Sequence, residues 1–281
     1  MRLICPICGR RLDGGHDESG GRVTYPPIRC ENGHSFDVSA KGSVNLLRSG
    51  GGHGDSAEML AARRRFLSGG YYIPLADALL GAIKDFCPHP TAILDAGCGE
   101  GWYISRLDRE LGSAADIAAV DVSPKAAALT AGLFPREERM KRVFCAAASV
   151  NALPLEDGSV DVLLSVFSPL APDEFSRVVT GGGIVIRAVP TARHLWQLKA
   201  AVYERPYEND ESVRDIPGFE RISERRVEYT VDIKDKGDLE ALFSMTPYSR
   251  TTGAEDEKKL LMLGSLETGI GFIVTVYRRR N

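Results

Sequence analysis

The chain has 281 residues, 43% of them hydrophobic, and a formal net charge of −3 with a pI near 6.0. That length supports a sizeable core with room for a small extra domain, and the charge excludes a globally basic nucleic-acid binder, so any such partner must be met by a local patch. No run of about 18 apolar residues occurs, and MRLICPIC sets a cysteine pair where a secretory apolar segment would lie; the expectation is a cytoplasmic protein with reduced thiols and no membrane partner.

The N-terminal segment carries a metal pattern. Cys5 and Cys8 form C-x2-C, and Cys30 with His34 forms C-x3-H in CENGH. Two such chelating turns close a tetrahedral Cys3His zinc site with no open position, so the ion is structural. It supplies folding energy to about forty residues that are too few to bury a core of their own. Cys87, Cys98 and Cys145 are scattered among core-like segments, which favours metal binding over a disulfide framework. His16, in DGGHDESGGRV, lacks a paired ligand spacing and reads as a solvated loop residue, as do His53 and His89. Residues 1–72 carry a charge of +3 and the rest −6, which fits a phosphate-binding face or a solvated surface of mixed charge equally well.

SGGGHGDS, Ser49 to Ser56, reads as a glycine-rich break and divides a zinc-ribbon-like domain, 1–48, from a larger one, 49–281. Asp55 or Ser56 then caps a helix through AEMLAARRRFL, and Pro74 opens another through LADALLGAIKDF. From Thr91 onward, short β-rich runs (TAILDAG, DIAAVDVS, RVFCAAA, VDVLLSVFS, GGIVIRAVP) alternate with helical ones. Near-continuous apolar strands in that rhythm predict an α/β fold with a doubly wound, mostly parallel sheet. Tyr203 to Tyr229 is dense in both charge signs and reads as a solvated connector or insertion, and IGFIVTVYRR completes the sheet or adds an antiparallel edge.

ILDAGCGEG follows the first strand of the larger domain. Gly97, Gly99 and Gly101 after Asp95 form a tight turn into a helix, where a ligand can touch backbone N–H groups. A dinucleotide fingerprint needs glycine where Trp102 stands, so a nicotinamide or flavin reading is disfavoured. The D-x-G-x-G-x-G spacing resembles motif I of S-adenosylmethionine-dependent methyltransferases, whose acidic residue lies near the methionine ammonium. Asp121 ends the next strand, where a carboxylate can accept both ribose hydroxyls. Such glycine turns also arise for packing alone, and strand-end aspartates also cap helices.

Taken together, the chain resembles the bacterial 23S ribosomal RNA guanine-N1 methyltransferases along its whole length. The resemblance rests on CPICGRRL, CENGHSFDVSAKGSVNLL, GDSAEMLAARRRFLSGGYYIPL, ILDAGCGEGWY, DVSPKA, GGGIVIRAVPTARHLWQLK and MTPY. It implies a Rossmann-like class I methyltransferase domain behind the zinc ribbon. It also implies methyl transfer from S-adenosylmethionine to N1 of a guanine in a hairpin loop of 23S rRNA, by a homodimer embracing the RNA. Tyr72 and His194 match the residues that line the family's cofactor pocket, joining Asp95, Gly97, Gly99, Glu100, Gly101 and Asp121. A tyrosine face suits a sulfonium and a histidine suits the methionine carboxylate. The loop between Cys8 and Cys30 is longer and richer in glycine than in the family, and VFSPL stands where relatives read closer to YAPC or FAP.

Guanine N1 lies on the Watson–Crick edge, so the substrate is a loop nucleotide or an extruded one, and an aromatic at the pocket mouth is expected; Phe167 is the candidate. Asp55 and Glu58 are candidates for the base that removes the N1 proton, with helix capping and solvation as their ordinary roles. Arg63, Arg64 and Arg65 are expected to neutralise RNA phosphates, with Arg10 and Arg11 as a second clamp. Two rival readings are a small-molecule methyltransferase with a structural zinc domain and a non-catalytic zinc-ribbon RNA-binding protein.

Overall fold

The computed structural model describes residues 1–48, 54–250, 260 and 262–281; His53 and the centre of the glycine-rich break lie outside them. Three short strands, β1 (Leu12–Gly14), β2 (Ile28–Cys30) and β3 (Ser35–Phe36), form an antiparallel N-terminal sheet. β4 (Ser43–Asn45) leads to α1 (Ala57–Ser68), where the Ser56 hydroxyl accepts the Met59 N–H at 3.2 Å, so Ser56 rather than Asp55 is the cap. α2 (Ile73–Phe86) has Pro74 in its first turn.

The strands β5 (Ala92–Ala96), β6 (Asp116–Asp121), β7 (Val143–Ala147), β8 (Val160–Val166) and β9 (Val179–Pro190) follow. Between them lie α3 (Trp102–Glu110), α4 (Pro124–Ala131) and α5 (Pro172–Val178). α6 (Trp196–Val202), β10 (Phe219–Ile233), α7 (Lys236–Ser244) and β11 (Leu266–Arg279) complete the chain. The large sheet has eight strands in the order β10-β11-β9-β8-β5-β6-β7-β4. It is parallel from β4 to β9, and β11 runs antiparallel to both β9 and β10. Alternate strand residues feed separate cores: Ile93, Ile117, Val162 and Ile184 face one, Leu94, Ala118, Leu163 and Val185 the other. A sheet covered on both sides is what the apolar runs require. Among the described residues, no single helix is long and apolar enough to cross a membrane.

Two expectations need correction. The division after residue 48 does not match the sheet, because Ser43–Asn45 pair in parallel with Cys145–Ala147 and form its edge. Nor is Tyr203 to Tyr229 wholly a connector: from Phe219 on it forms the first part of β10, whose Val227, Tyr229 and Val231 pack on the first core while Glu220, Arg225 and Arg226 stay exposed. Charge on an edge strand discourages pairing with another chain, and here it disguised the strand. β11 then lies inside the sheet between β9 and β10, antiparallel but not an edge.

Candidate cofactor cleft and metal centre

The four N-terminal ligands converge. A zinc ion with Zn–S near 2.3 Å and Zn–N near 2.0–2.1 Å sets tetrahedral edges of about 3.8 Å between sulfurs and about 3.5 Å between sulfur and nitrogen. Cys8 Sγ lies 3.7 Å from Cys30 Sγ, and His34 Nδ1 lies 3.5 Å from Cys5 Sγ and 3.4 Å from Cys30 Sγ. All four donor atoms fall within 4.8 Å of one another, so the residues fit a tetrahedral ion with no position left for substrate. The Cys8 thiol is pulled down to about 6, chiefly by the Arg10 backbone N–H, whereas burial pushes Cys5 up. No disulfide forms among the six cysteines.

His16 departs from the solvated reading. Its Nδ1 meets the Arg139 carbonyl and its Nε2 meets Glu18, each at 2.8 Å, and with Tyr25, whose hydroxyl donates to the Arg136 carbonyl at 2.8 Å, it ties the glycine-rich loop to the connection between α4 and β7. His89 is exposed, as expected.

The glycine turn lies between the carboxyl ends of β5 and β6, where ligands bind in open α/β sheets. Gly97, Gly99 and Gly101 all have positive φ (94°, 54° and 82°), a region that L-residues enter only at a cost. A Cβ on Gly97 would collide with Ser168, and one on Gly101 would lie 2.6 Å from Thr130. Two of the three glycines thus admit neighbouring chain. Over Gly99 lies the Arg63 guanidinium, 3.3 Å from where its Cβ would be. Asp121 accepts the Gly99 N–H at 3.0 Å and the Ser123 N–H at 2.8 Å, so it braces the turn and keeps lone pairs for a ligand.

Carboxylates crowd the cleft. Asp95 is pushed up to about 8 by burial and by Asp121 and Glu100. Burial pushes Glu100 up to about 7 against the pull of Arg63. Asp121 is also raised, again by burial, with its two backbone N–H partners opposing. Against them stands Arg63, paired with Asp55 at 2.5 Å. Glu100 Oε2 and Tyr103 Oη are buried with no partner among the described residues. Buried polar atoms are rarely left so, and these suit a polar, cationic ligand.

An aromatic wall closes one side. Tyr72, His194 and Phe167 all rest on Phe272, at ring separations of 4.9, 4.9 and 5.4 Å. His194 Nδ1 accepts the Gly271 N–H at 3.2 Å, leaving its proton on Nε2, 3.2 Å from the Tyr72 hydroxyl. Burial, helped by Lys199, pushes His194 down to about 3, so it is neutral. Tyr72 thus takes the histidine proton expected for a ligand carboxylate, and its own O–H is the one left to donate. Phe167 is 45% exposed, at the mouth and not in the core.

The three consecutive arginines diverge. Arg63 turns into the cleft, Arg64 is exposed without an ion pair among the described residues, and Arg65 pairs with Asp235 at 2.8 Å and Asp238 at 2.9 Å on and beside α7. Arg10 and Arg11 pair with Glu31 and Asp13 at 3.1 and 2.7 Å, exposed contacts that hold little energy. Glu58 is exposed in the first turn of α1, lowered by its own N–H and by Ser56, a helix-terminal setting. Sequence reasoning missed Arg63 as a cleft residue, and with it Tyr103 and Phe272. The eight-residue step from Asp55 to Arg63 spans a helix start, so no local spacing announces their pairing.

Residues 93–183 match a methyltransferase domain family. A Micromonospora griseorubida protein provisionally named a 23S rRNA (guanine-N1)-methyltransferase is 36% identical over 217 residues, 70% of this chain and 68% of its own length. The 23S rRNA (guanine(748)-N1)-methyltransferase of Streptomyces fradiae is 31% identical over 88% of this chain and 85% of its own. The Bacillus subtilis protein YxjB, also provisionally named a 23S rRNA (guanine-N1)-methyltransferase, is 31% identical over 86% of this chain and 85% of its own.

Proposed function

Since the chain belongs to the 23S rRNA (guanine-N1)-methyltransferase family and carries the class I methyltransferase sheet, we propose that it moves a methyl group from S-adenosylmethionine to N1 of a guanine in a hairpin loop of 23S rRNA. The observation that carries this reading is the crowding of carboxylates around the glycine turn: Asp55, Glu100 and Asp121 act on the Arg63 guanidinium, while the buried Asp95 faces Asp121 and Glu100 with no cation among its described neighbours. A sulfonium-bearing donor with a free ammonium supplies the missing positive charge.

In this reading Asp121 holds the ribose and Asp95 and Glu100 face the methionine ammonium. The Tyr72 hydroxyl, oriented by His194, donates to the methionine carboxylate, while the tyrosine ring lies towards the sulfonium. The donor arrives with an activated methyl, so this chain's residues mainly align the acceptor nitrogen with it at reactive distance. The N1 proton must leave as the bond forms. Asp55 is the better placed of the two expected bases, because it lies beside Arg63 over the glycine turn while Glu58 faces solvent. Phe167 at the mouth takes the face of the extruded guanine, and Cys5, Cys8, Cys30 and His34 hold a structural zinc.

Incubating the protein with labelled S-adenosylmethionine and unmodified 23S rRNA, then mapping the label, tests the reading. Label on N1 of a hairpin-loop guanine is expected. Label appearing only in a metabolite extract, or donor binding without transfer anywhere, rejects it.

A further inference from the structure

Two residues bordering the aromatic wall, Phe167 and Leu195, adopt left-handed backbone (φ 55° each) although neither is glycine. Such strain persists only where the surroundings impose it. Here they do. Phe167 is tied by its N–H to the Ala188 carbonyl at 3.1 Å, and the next residue, Ser168, is wedged against Gly97 with its hydroxyl 3.0 Å from that of Ser165. Leu195 donates to the Gly269 carbonyl at 2.9 Å, and Thr191 and His194 in the same loop are tied at 2.9 and 3.1 Å.

At Leu195 the strain has a product. It sets the start of α6 so that the Arg193 guanidinium lies 4.5 Å over the Trp196 ring, with the Trp196 N–H held by the Arg193 carbonyl at 3.1 Å. Arg193 is exposed and forms no ion pair among the described residues. Its guanidinium lies over the indole ring while the side chain stays exposed, and its neighbour His194 rests on the same Phe272 that supports Phe167. Phe272 and His194 thus connect an exposed aromatic ring, Phe167, with an exposed cation held over an indole, Arg193.

We propose that the Arg193–Trp196 stack is a second platform for the RNA substrate, receiving the base of an unpaired nucleotide next to the methylated guanine. This rests on the rRNA reading above and specifies how that site grips its substrate. Unpaired bases stack on guanidinium planes as well as on rings, and every base has a face to offer. Because Trp196 already orders the Arg193 side chain, little rotamer entropy remains to be lost when a base arrives. A phosphate contact would ask only for charge, whereas a stack needs the plane, and lysine keeps the first without the second.

The experiment uses the full-length, zinc-loaded protein and an unmodified RNA hairpin that the wild type methylates. Arg193→Ala should weaken hairpin binding and raise KM by about 5- to 100-fold. Affinity for S-adenosylmethionine, read by calorimetry, should be unchanged, which also shows that the variant is folded. Arg193→Lys should not restore binding, and the slope of log affinity against log salt should stay near that of the wild type. Recovery in Arg193→Lys, or a slope reduced by about 1 in Arg193→Ala, identifies a phosphate contact and overturns the platform, as does an unaltered KM in Arg193→Ala. Failure of the wild type to label any RNA sinks the rRNA reading and the platform together; an active wild type with an unaffected variant sinks only the platform.

Discussion

Arg63 shows how neighbouring side chains of one type divide their work. A run of three arginines reads as a basic patch, yet helical spacing sends consecutive residues to different faces, and only Arg64 is left exposed without a carboxylate partner among the described residues. Arg64→Ala is expected to lower the salt slope of RNA binding by about 1, while Arg63→Ala leaves that slope unchanged. The effect of Arg63 should appear in cofactor binding. Asp95 at about 8 and Glu100 at about 7 hold protons in the ligand-free cleft near neutrality, and a cationic donor displaces them. Donor affinity should therefore rise between about pH 6 and 8 with net proton release, measurable by calorimetry in buffers of different ionisation enthalpy. Arg63 pulls Glu100 down, so Arg63→Ala should move the midpoint of that rise to higher pH. In the ligand-free protein the same raised values make stability fall as pH climbs from about 4 towards 8, because the folded state binds more protons than the unfolded chain across that window.

At the scale of elements, the glycine turn combines two demands. The β5 and β6 ends and the intervening turn are legible because acid, glycines and second acid follow the strand–helix rhythm. What each glycine admits was not legible: Gly97 and Gly101 make way for Ser168 and Thr130, and Gly99 lies under Arg63. Gly101→Ala places a methyl against Thr130 at φ 82° and should destabilise the protein by about 1–3 kcal/mol in urea unfolding. A midpoint equal to the wild type would contradict that packing. β10 went unread for a related reason: an edge strand with one exposed face tolerates charge at alternate positions, and its hydrophobic partners lie on β11 and α2, far along the chain.

At the scale of the whole molecule, the N-terminal unit with the Cys/His cluster is not a separate bead. Leu3, Cys5, Leu12, Ile28 and Cys30 belong to the same core cluster as Leu94, Ala118, Leu163 and Tyr277 of the large sheet. Leu3 bridges to Leu155, and the N-terminal ammonium pairs with Asp116 at 2.6 Å. Removing zinc with a chelator, or Cys30→Ser, should therefore lower the melting temperature of the whole chain in one calorimetric transition; two resolved transitions would show that the cores are independent. By itself the sequence determined which cysteines and histidine cluster, the α/β rhythm and the place of the glycine turn, because each rests on local spacing that survives in an extended chain. Only the tertiary structure decided that Ser43–Asn45 join the large sheet, that Arg63 lies over the glycine turn and that His194 spends its proton on Tyr72. Those outcomes depend on strands and helices meeting across long sequence separations, where burial and hydrogen-bond satisfaction choose among partners that no short-range pattern distinguishes.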